Sequence, residues 1–276
     1  MGFIGKPDFS GTFHTTDFKI PVAYNHQGFR HTHKQNNSAE RTLYILGDSY
    51  GWGWGVGPGK SISDHIAAEF PEWNVVNYAL PGYGTVQQKM VFERFVQANL
   101  KRDDAVMILH FGNDFDDNVR KTADNAPHAY LSETGEVNIS LPPTEPWSLA
   151  MKQKLKDASY FYNYLAYVIN YQKLLSNHRK EETILTKQKE KSKKEPTLSQ
   201  DDPKIVVMEY LLSEIQSECD SKDVPLLMVR VPYRNEYGES PPHQLNNLEL
   251  RSPYRPAIRE IAERLDIPFH DLSAYL

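Results

Sequence analysis

The sequence predicts an α/β fold, a three-layer α/β/α sandwich in which a mostly parallel sheet carries helices on both faces. Three observations predict it. From residue 41 onward, short apolar runs alternate with stretches whose apolar residues recur at helical spacing. The run at 105–111 is continuous rather than alternating, as a strand covered on both faces requires. Three successive runs end in turns rich in Gly, Asn and Asp, and sheets of this class hold ligands beyond the carboxyl ends of their strands.

Taken in order, residues 1–40 are polar, dotted with aromatics and poor in periodicity, and read as an irregular arm with room for one short strand. The apolar run at 42–46 stops at Gly47-Asp48-Ser49, and Ser61 opens a helix with Ile62, Ile66 and Phe70 on one side. A second strand at 75–77 ends in the turn Pro81-Gly82-Tyr83-Gly84, followed by a helix carrying Met90, Phe92, Phe95, Val96 and Leu100. The strand at 105–111 ends at Gly112-Asn113-Asp114. Between 118 and 203 the rhythm breaks, so an insertion at about 119–202 is expected, with an aromatic helical stretch around Tyr160 to Val168 and a solvated charge run at 179–195. Strands at 225–231 and 267–270 and a helix at 256–265 complete one domain, 41–276, behind the arm.

Composition bounds the function. A chain of 276 residues with 39% hydrophobic and 12% aromatic side chains can build a real core, which excludes disordered, collagen-like and disulfide-framework classes. Cys219 stands alone and forms no internal bridge. The formal charge of -5 gives no general attraction for nucleic acid or an anionic membrane. No run approaches the ~18 apolar residues of a spanning helix, and the first residues lack the basic-then-apolar order of a signal peptide, so the chain as given is expected to be soluble.

The segment GDSYGWGWGVGPG, residues 47–59, places six glycines in thirteen positions directly after a strand. Such a loop costs backbone entropy and needs either positive φ or the close approach of another group. A hydroxyl at a strand end, beside free backbone N–H groups, suits a nucleophile; Ser49 is therefore the first candidate, with a helix-capping serine as the alternative. Nucleotide loops fail on spacing: the alternating glycines never give G-x-G-x-x-G, and Trp54 stands where a P-loop needs its leading glycine. Gly82 can offer an N–H without a Cβ in the way, or be an ordinary Pro-Gly turn. Asn113 can offer an uncharged amide donor to an oxyanion, or simply close its own turn. Trp52 and Trp54 are read equally as pocket wall or as cover for the loop's apolar underside, and with Tyr83 they could offer flat faces to sugar rings.

Together Gly47-Asp48-Ser49, Asn77 with Gly82, and Gly112-Asn113-Asp114 resemble the first three sequence blocks of the GDSL-type, SGNH hydrolase superfamily of esterases, lipases and carbohydrate acetylesterases. The resemblance runs from about residue 41 to 118. It implies a flavodoxin-like sandwich, Ser49 as nucleophile, and an oxyanion hole made by the Ser49 N–H, the Gly82 N–H and the Asn113 side chain. It also implies a small acyl ester as substrate, with an O-acetyl group on a carbohydrate as one candidate, and no cofactor. NHQGFR at 25–30 and DFDDN at 114–118 are similar, less specifically, to a bacterial subgroup with poorly defined substrates.

That superfamily completes its triad with Asp-x-x-His near the carboxyl end, and the carboxyl-terminal region here contains no such motif; DLSAYL at 271–276 resembles the stretch just before it. The expectation is that the final catalytic block is missing because the chain is truncated, ahead of a binding-only relative or a relocated base. His270 and Asp271 are adjacent and point oppositely on an extended segment, His110 reads as a satisfied core imidazole, and His31-x-His33 lacks further ligands. Two other classes stay open: a noncatalytic carbohydrate- or acyl-binding module, and a carboxylate-metal phosphoester hydrolase using Asp48, Asp114, Asp116 and Asp117, in which Asp114 and Asp116 share a face if extended.

Overall fold

The computed structural model describes residues 3–121, 126–141, 199–232 and 254–275. The chain divides into two units, 1–141 with 198–276, and 142–197. The second unit, with the expected aromatic helix and charge run, lies outside the described residues.

Residues 3–40 contain β1 (Ser10–His14) and β2 (Lys19–Ala23), an antiparallel pair with Ser10 opposite Ala23. The arm thus holds two short strands where one was expected. Only Ile20 and Val22 of β2 are buried, and two inward positions are too few to register as a period in a polar context.

The central sheet follows: β3 (Arg41–Gly47), α1 (Ser49–Trp52), α2 (Ile62–Glu69), β4 (Trp73–Asn77), α3 (Thr85–Val91), β5 (Ala105–His110) and α4 (Asp114–Val119). A hairpin of β6 (His128–Leu131) and β7 (Val137–Ser140) comes next, then α5 (Pro203–Asp220), β8 (Leu226–Arg230), α6 (Tyr254–Arg264) and β9 (Phe269–Asp271). The five-stranded sheet is parallel throughout, in the order β4-β3-β5-β8-β9. Counting sheet strands alone this is 2-1-3-4-5, the flavodoxin-like order, whose ligand crevice opens where the order reverses, between β3 and β5.

Alternation along β3 assigns the layers. Tyr44 and Leu46 join Val106, Ile108 and Met228 under α3, α5 and α6. Leu43 and Ile45 join Val75 and Leu109 against Ile62, Ile66 and Ala67 of α2. The result is the expected three-layer α/β/α sandwich. Ile45, Val75 and Val106 are fully buried, each contributing about 1.5–3 kcal/mol relative to exposure.

The helix expected up to residue 100 is interrupted. After Val91, Phe92–Val96 form one π turn and Gln97–Asn99 a 3-10 turn. α5 is an 18-residue helix opened by an Asp202 cap with Pro203 at its first position. It buries Ile205, Met208, Leu212, Ile215 and Cys219 against the sheet. The stretch expected as an insertion thus contributes, among its described residues, α4's last residue and the β6–β7 hairpin.

Asp64 ties the arm to the sandwich. Its carboxylate accepts from the Ser61 N–H (3.0 Å), the Ser61 hydroxyl (2.7 Å) and the His33 N–H (2.5 Å), while Ser61 caps α2. Asp64→Ala strands two backbone donors near a buried site, and the expected loss of folding stability is about 3 kcal/mol. A lower urea midpoint at unchanged m-value reads it; a shift equivalent to less than about 0.5 kcal/mol contradicts the assignment.

Candidate active site

β4, β3 and β5 are neighbours, and the loops carrying Gly82, Ser49 and Asn113 leave their three carboxyl ends. Register aligns those ends. Gly47 pairs with Leu109, and beyond β4 the ladder continues through Tyr78 N–H to Ile45 O (2.8 Å) and Leu80 N–H to Gly47 O (3.3 Å). Gly82 and Ser49 therefore each lie two residues beyond a shared backbone pairing.

Ser49 is the first residue of α1, and Asp48 occupies the cap: its Oδ1 accepts from the Tyr50 N–H at 2.8 Å. The capping role proposed for serine as the alternative is thus taken by its neighbour. Half-buried Ser49 has no hydrogen bond from its hydroxyl among the described residues. The turn is pressed onto the sheet, because a Cβ on Gly51 would come within 2.7 Å of Ala79 Cβ. Asn77, buried at the end of β4, donates through Nδ2 to Gly51 O (2.8 Å) and fixes the turn from the side.

Gly82 has φ +76°, a conformation that favours glycine after Pro81, and nothing lies within 4 Å of where its Cβ would stand. Asn113 sits in the turn closed by Asp114 N–H to Phe111 O (3.0 Å). Its Nδ2 donates to Asp117 Oδ2 at 2.6 Å, which uses one amide hydrogen and leaves the other.

The segment at 114–119 is helical, which corrects the extended alternative for Asp114 and Asp116. Two residues apart on a helix they point to nearly opposite sides: Asp114 is fully buried and Asp116 is exposed. Asp116 pairs with Lys204 and the Tyr254 hydroxyl, Asp114 with His110 Nδ1 (3.1 Å) and the Phe111 N–H (3.0 Å), and Asp117 with Asn113. Among the described residues no three His, Cys, Asp or Glu side chains converge as a metal site would need. The phosphoester-hydrolase alternative therefore finds no ligand set among the described residues.

Burial pushes the Asp48 carboxyl up to about 7, helped by the nearby Asp114 and Asp117 charges. Burial also raises Asp117, against the bond from Asn113. At the far strand ends, burial tends to raise Asp271, but bonds from Ser273 and the buried Arg230 (2.9 Å) outweigh it and hold the carboxyl at about 2. The two act oppositely. A raised carboxyl adds stability that is complete below the ordinary value of 3.8 and is lost as pH rises through about 7. A depressed one adds stability present above 3.8 and lost as pH falls through about 2. Unfolding stability is expected to decline between about pH 4 and 7, and Asp48→Asn, which keeps the cap, should flatten that decline. Equal slopes in urea titrations of both proteins would contradict this origin.

Two aromatic expectations are corrected. Trp52 and Tyr83 are 1% exposed and present no face to a ligand: Trp52 lies under Phe13, and Tyr83 packs on Phe3. Trp54 is 46% exposed, edge-on to Phe13 and Phe18. Tyr50, next to Ser49, stacks on Phe111 at 4.0 Å.

His270 is exposed while Asp271 is buried, the opposite facing an extended strand imposes. His110 is engaged with Asp114, and no described histidine hydrogen-bonds Ser49; His178 and His243 lie outside the described residues. A cavity of about 720 Å³ borders β9 and is lined by neither Ser49, Gly82 nor Asn113. Sequence reasoning left Arg30 unassigned; the Gly-Phe-Arg ending of residues 25–30 was its only signal.

Comparisons with known proteins add the family. The model of the GDSL-like lipase/acylhydrolase family matches residues 45–276. No curated protein matches. Among solved structures, the chain is similar to the SGNH-hydrolase family esterase AlinE4, with 13% identity over 87% of this chain and 80% of that one and a TM-score of 0.41. Phospholipase A1 from Streptomyces albidoflavus NA297 shows 14% identity over 84% and 80%, with a TM-score of 0.40. An acetylxylan esterase from Geobacillus stearothermophilus shows 14% identity over 84% and 75%, with a TM-score of 0.37.

Proposed function

Since the chain belongs to the GDSL-like lipase/acylhydrolase family, we propose that it is a serine ester hydrolase in which Ser49 forms an acyl-enzyme with a small acyl ester. One observation carries the reading. At the strand ends flanking the β3/β5 crevice, the half-buried Ser49 hydroxyl makes no hydrogen bond among the described residues, while Asp48 caps its turn and Asn77 braces it.

In the first step Ser49 Oγ bonds to the ester carbonyl carbon and its proton passes to a general base, a role that the resemblance gives to a histidine and to which no described residue of this chain is assigned. The carbonyl oxygen takes the negative charge and accepts hydrogen bonds from the Ser49 N–H, the Gly82 N–H and the free Asn113 amide hydrogen. Collapse expels the alcohol, which takes the proton from the base. Water then attacks acyl-Ser49 by the same route in reverse and releases the acid. Gly82 supports this role through its open face, since nothing lies within 4 Å of where its Cβ would stand. An O-acetyl group on a carbohydrate fits the exposed Trp54, a flat face one turn from Ser49.

A fluorophosphonate tests the reading. Mass spectrometry of the digested protein is expected to find a single phosphonylated residue, Ser49, with ester hydrolysis lost in proportion. Hydrolysis that continues with Ser49 unmodified and stops with a chelator favours the metal route instead. Ligand binding without hydrolysis or labelling favours a binding module.

A further inference from the structure

α1 is a single turn of four residues, and a lone turn does not hold itself: nucleation fixes several dihedrals for one hydrogen bond. Its amino end is tied by Asp48. Its carboxyl end is tied from outside the family-matched region, by the arm. Arg30 is 4% exposed, and its Nη1 donates to Trp52 O (3.0 Å) and Gly53 O (2.7 Å) while Nη2 donates to Val56 O (2.7 Å). The guanidinium also lies 4.8 Å from the Trp52 ring centroid. The carbonyls nearer Ser49 are already used within the turn, Ser49 O by the Gly53 and Trp54 N–H groups and Tyr50 O by Gly53. Arg30 takes the next ones along.

The arm delivers that guanidinium rigidly. Asn25 Oδ1 accepts from the Gln27 and Phe29 N–H groups at 3.0 Å each, and Asn25 N–H donates to Phe29 O (2.8 Å). Phe29, fully buried, stands edge-on to Tyr78 at 4.7 Å and Phe95 at 5.2 Å. The residue before Arg30 is thereby locked into the core, and the Arg30 backbone cannot drift with a loose terminus. Asp64, within the same buried region, supplies a compensating negative charge.

We propose that Arg30 is a positioning residue for the Ser49 nucleophile: through three carbonyls of residues 52–56 it fixes the turn on which the hydroxyl is presented, so the arm is a working part of the active site. The role rests on the serine reading above. Geometry selects arginine, since one planar fork reaches three carbonyls on the same side, whereas a lysine ammonium is a point charge on a flexible stem. A displaced nucleophile costs rate rather than affinity, because substrate contacts made by other residues persist.

Arg30→Lys and Arg30→Ala, in the full chain, are tested on a p-nitrophenyl acetate series at a temperature where circular dichroism shows each variant folded. Expected is a fall in kcat of about tenfold for Lys and about a hundredfold for Ala, with KM within about twofold of wild type. The rate of fluorophosphonate labelling should fall in the same ratio, and millimolar methylguanidinium should restore part of it in Arg30→Ala only. Where Arg30→Ala does not unfold cooperatively, Arg30→Lys decides. Folded variants with wild-type kcat and labelling rate, differing only in denaturation midpoint, overturn the positioning role while leaving the serine reading intact. A wild-type protein that hydrolyses ester without labelling at Ser49 overturns both.

Discussion

Ser49→Ala is expected to lower kcat for ester hydrolysis by at least about four orders of magnitude while leaving KM and folding stability almost unchanged. Each half of that expectation has its own ground. In the proposed mechanism the hydroxyl forms the covalent bond of the acyl-enzyme, so no neighbouring group can substitute for it, and what remains is the modest catalysis supplied by oxyanion donors and binding. Stability stays because the hydroxyl makes no hydrogen bond among the described residues and the turn is capped by Asp48. Initial rates with an activated acetate ester, beside urea unfolding of both proteins, check the two halves together. A variant keeping more than about a tenth of the wild-type rate removes Ser49 from the mechanism.

Asn113→Ala should cost about a hundredfold to a thousandfold in kcat, about 3–4 kcal/mol in the acylation barrier, again with little change in KM. The ground-state carbonyl asks little of the amide; the tetrahedral oxyanion asks much more. Asp117 provides the control. Its carboxylate holds Asn113 Nδ2 at 2.6 Å, so Asp117→Ala removes the restraint and keeps the donor. A fall of about tenfold or less is expected there. If the two variants lose equal rate, Asn113 acts by shaping its turn rather than by donating to the reacting oxygen.

Sheet and strand-end loops were legible because both are short-range features. Fully buried parallel strands leave unbroken apolar runs such as 105–111, and strand ends leave Gly, Asn and Asp where the chain turns sharply. The resemblance carried Ser49, Gly82 and Asn113 from those same loops. What escaped depended on partners distant in sequence. Trp52 and Tyr83 lie in two strand-end segments that read as open, and arm residues cover them. Arg30 looks like a surface cation until the 52–56 carbonyls close around it. The backbone at 114–119 was equally undecidable from alternating aspartates; burial of Phe115 against Tyr254 at 4.5 Å and His110 at 5.6 Å goes with the helix. α5 went unread beside a long polar stretch, although Asp202-Pro203 marks its start.

The central claim is that one hydroxyl, two backbone N–H groups and one side-chain amide surround a single oxyanion. A crystal structure of the fluorophosphonate adduct tests it most directly, since the phosphonyl oxygen stands where the oxyanion would. The account predicts phosphorus bonded to Ser49 Oγ, with that oxygen about 2.7–3.1 Å from Ser49 N, Gly82 N and Asn113 Nδ2. An adduct whose oxygen points to solvent, or to donors other than Gly82 and Asn113, contradicts it.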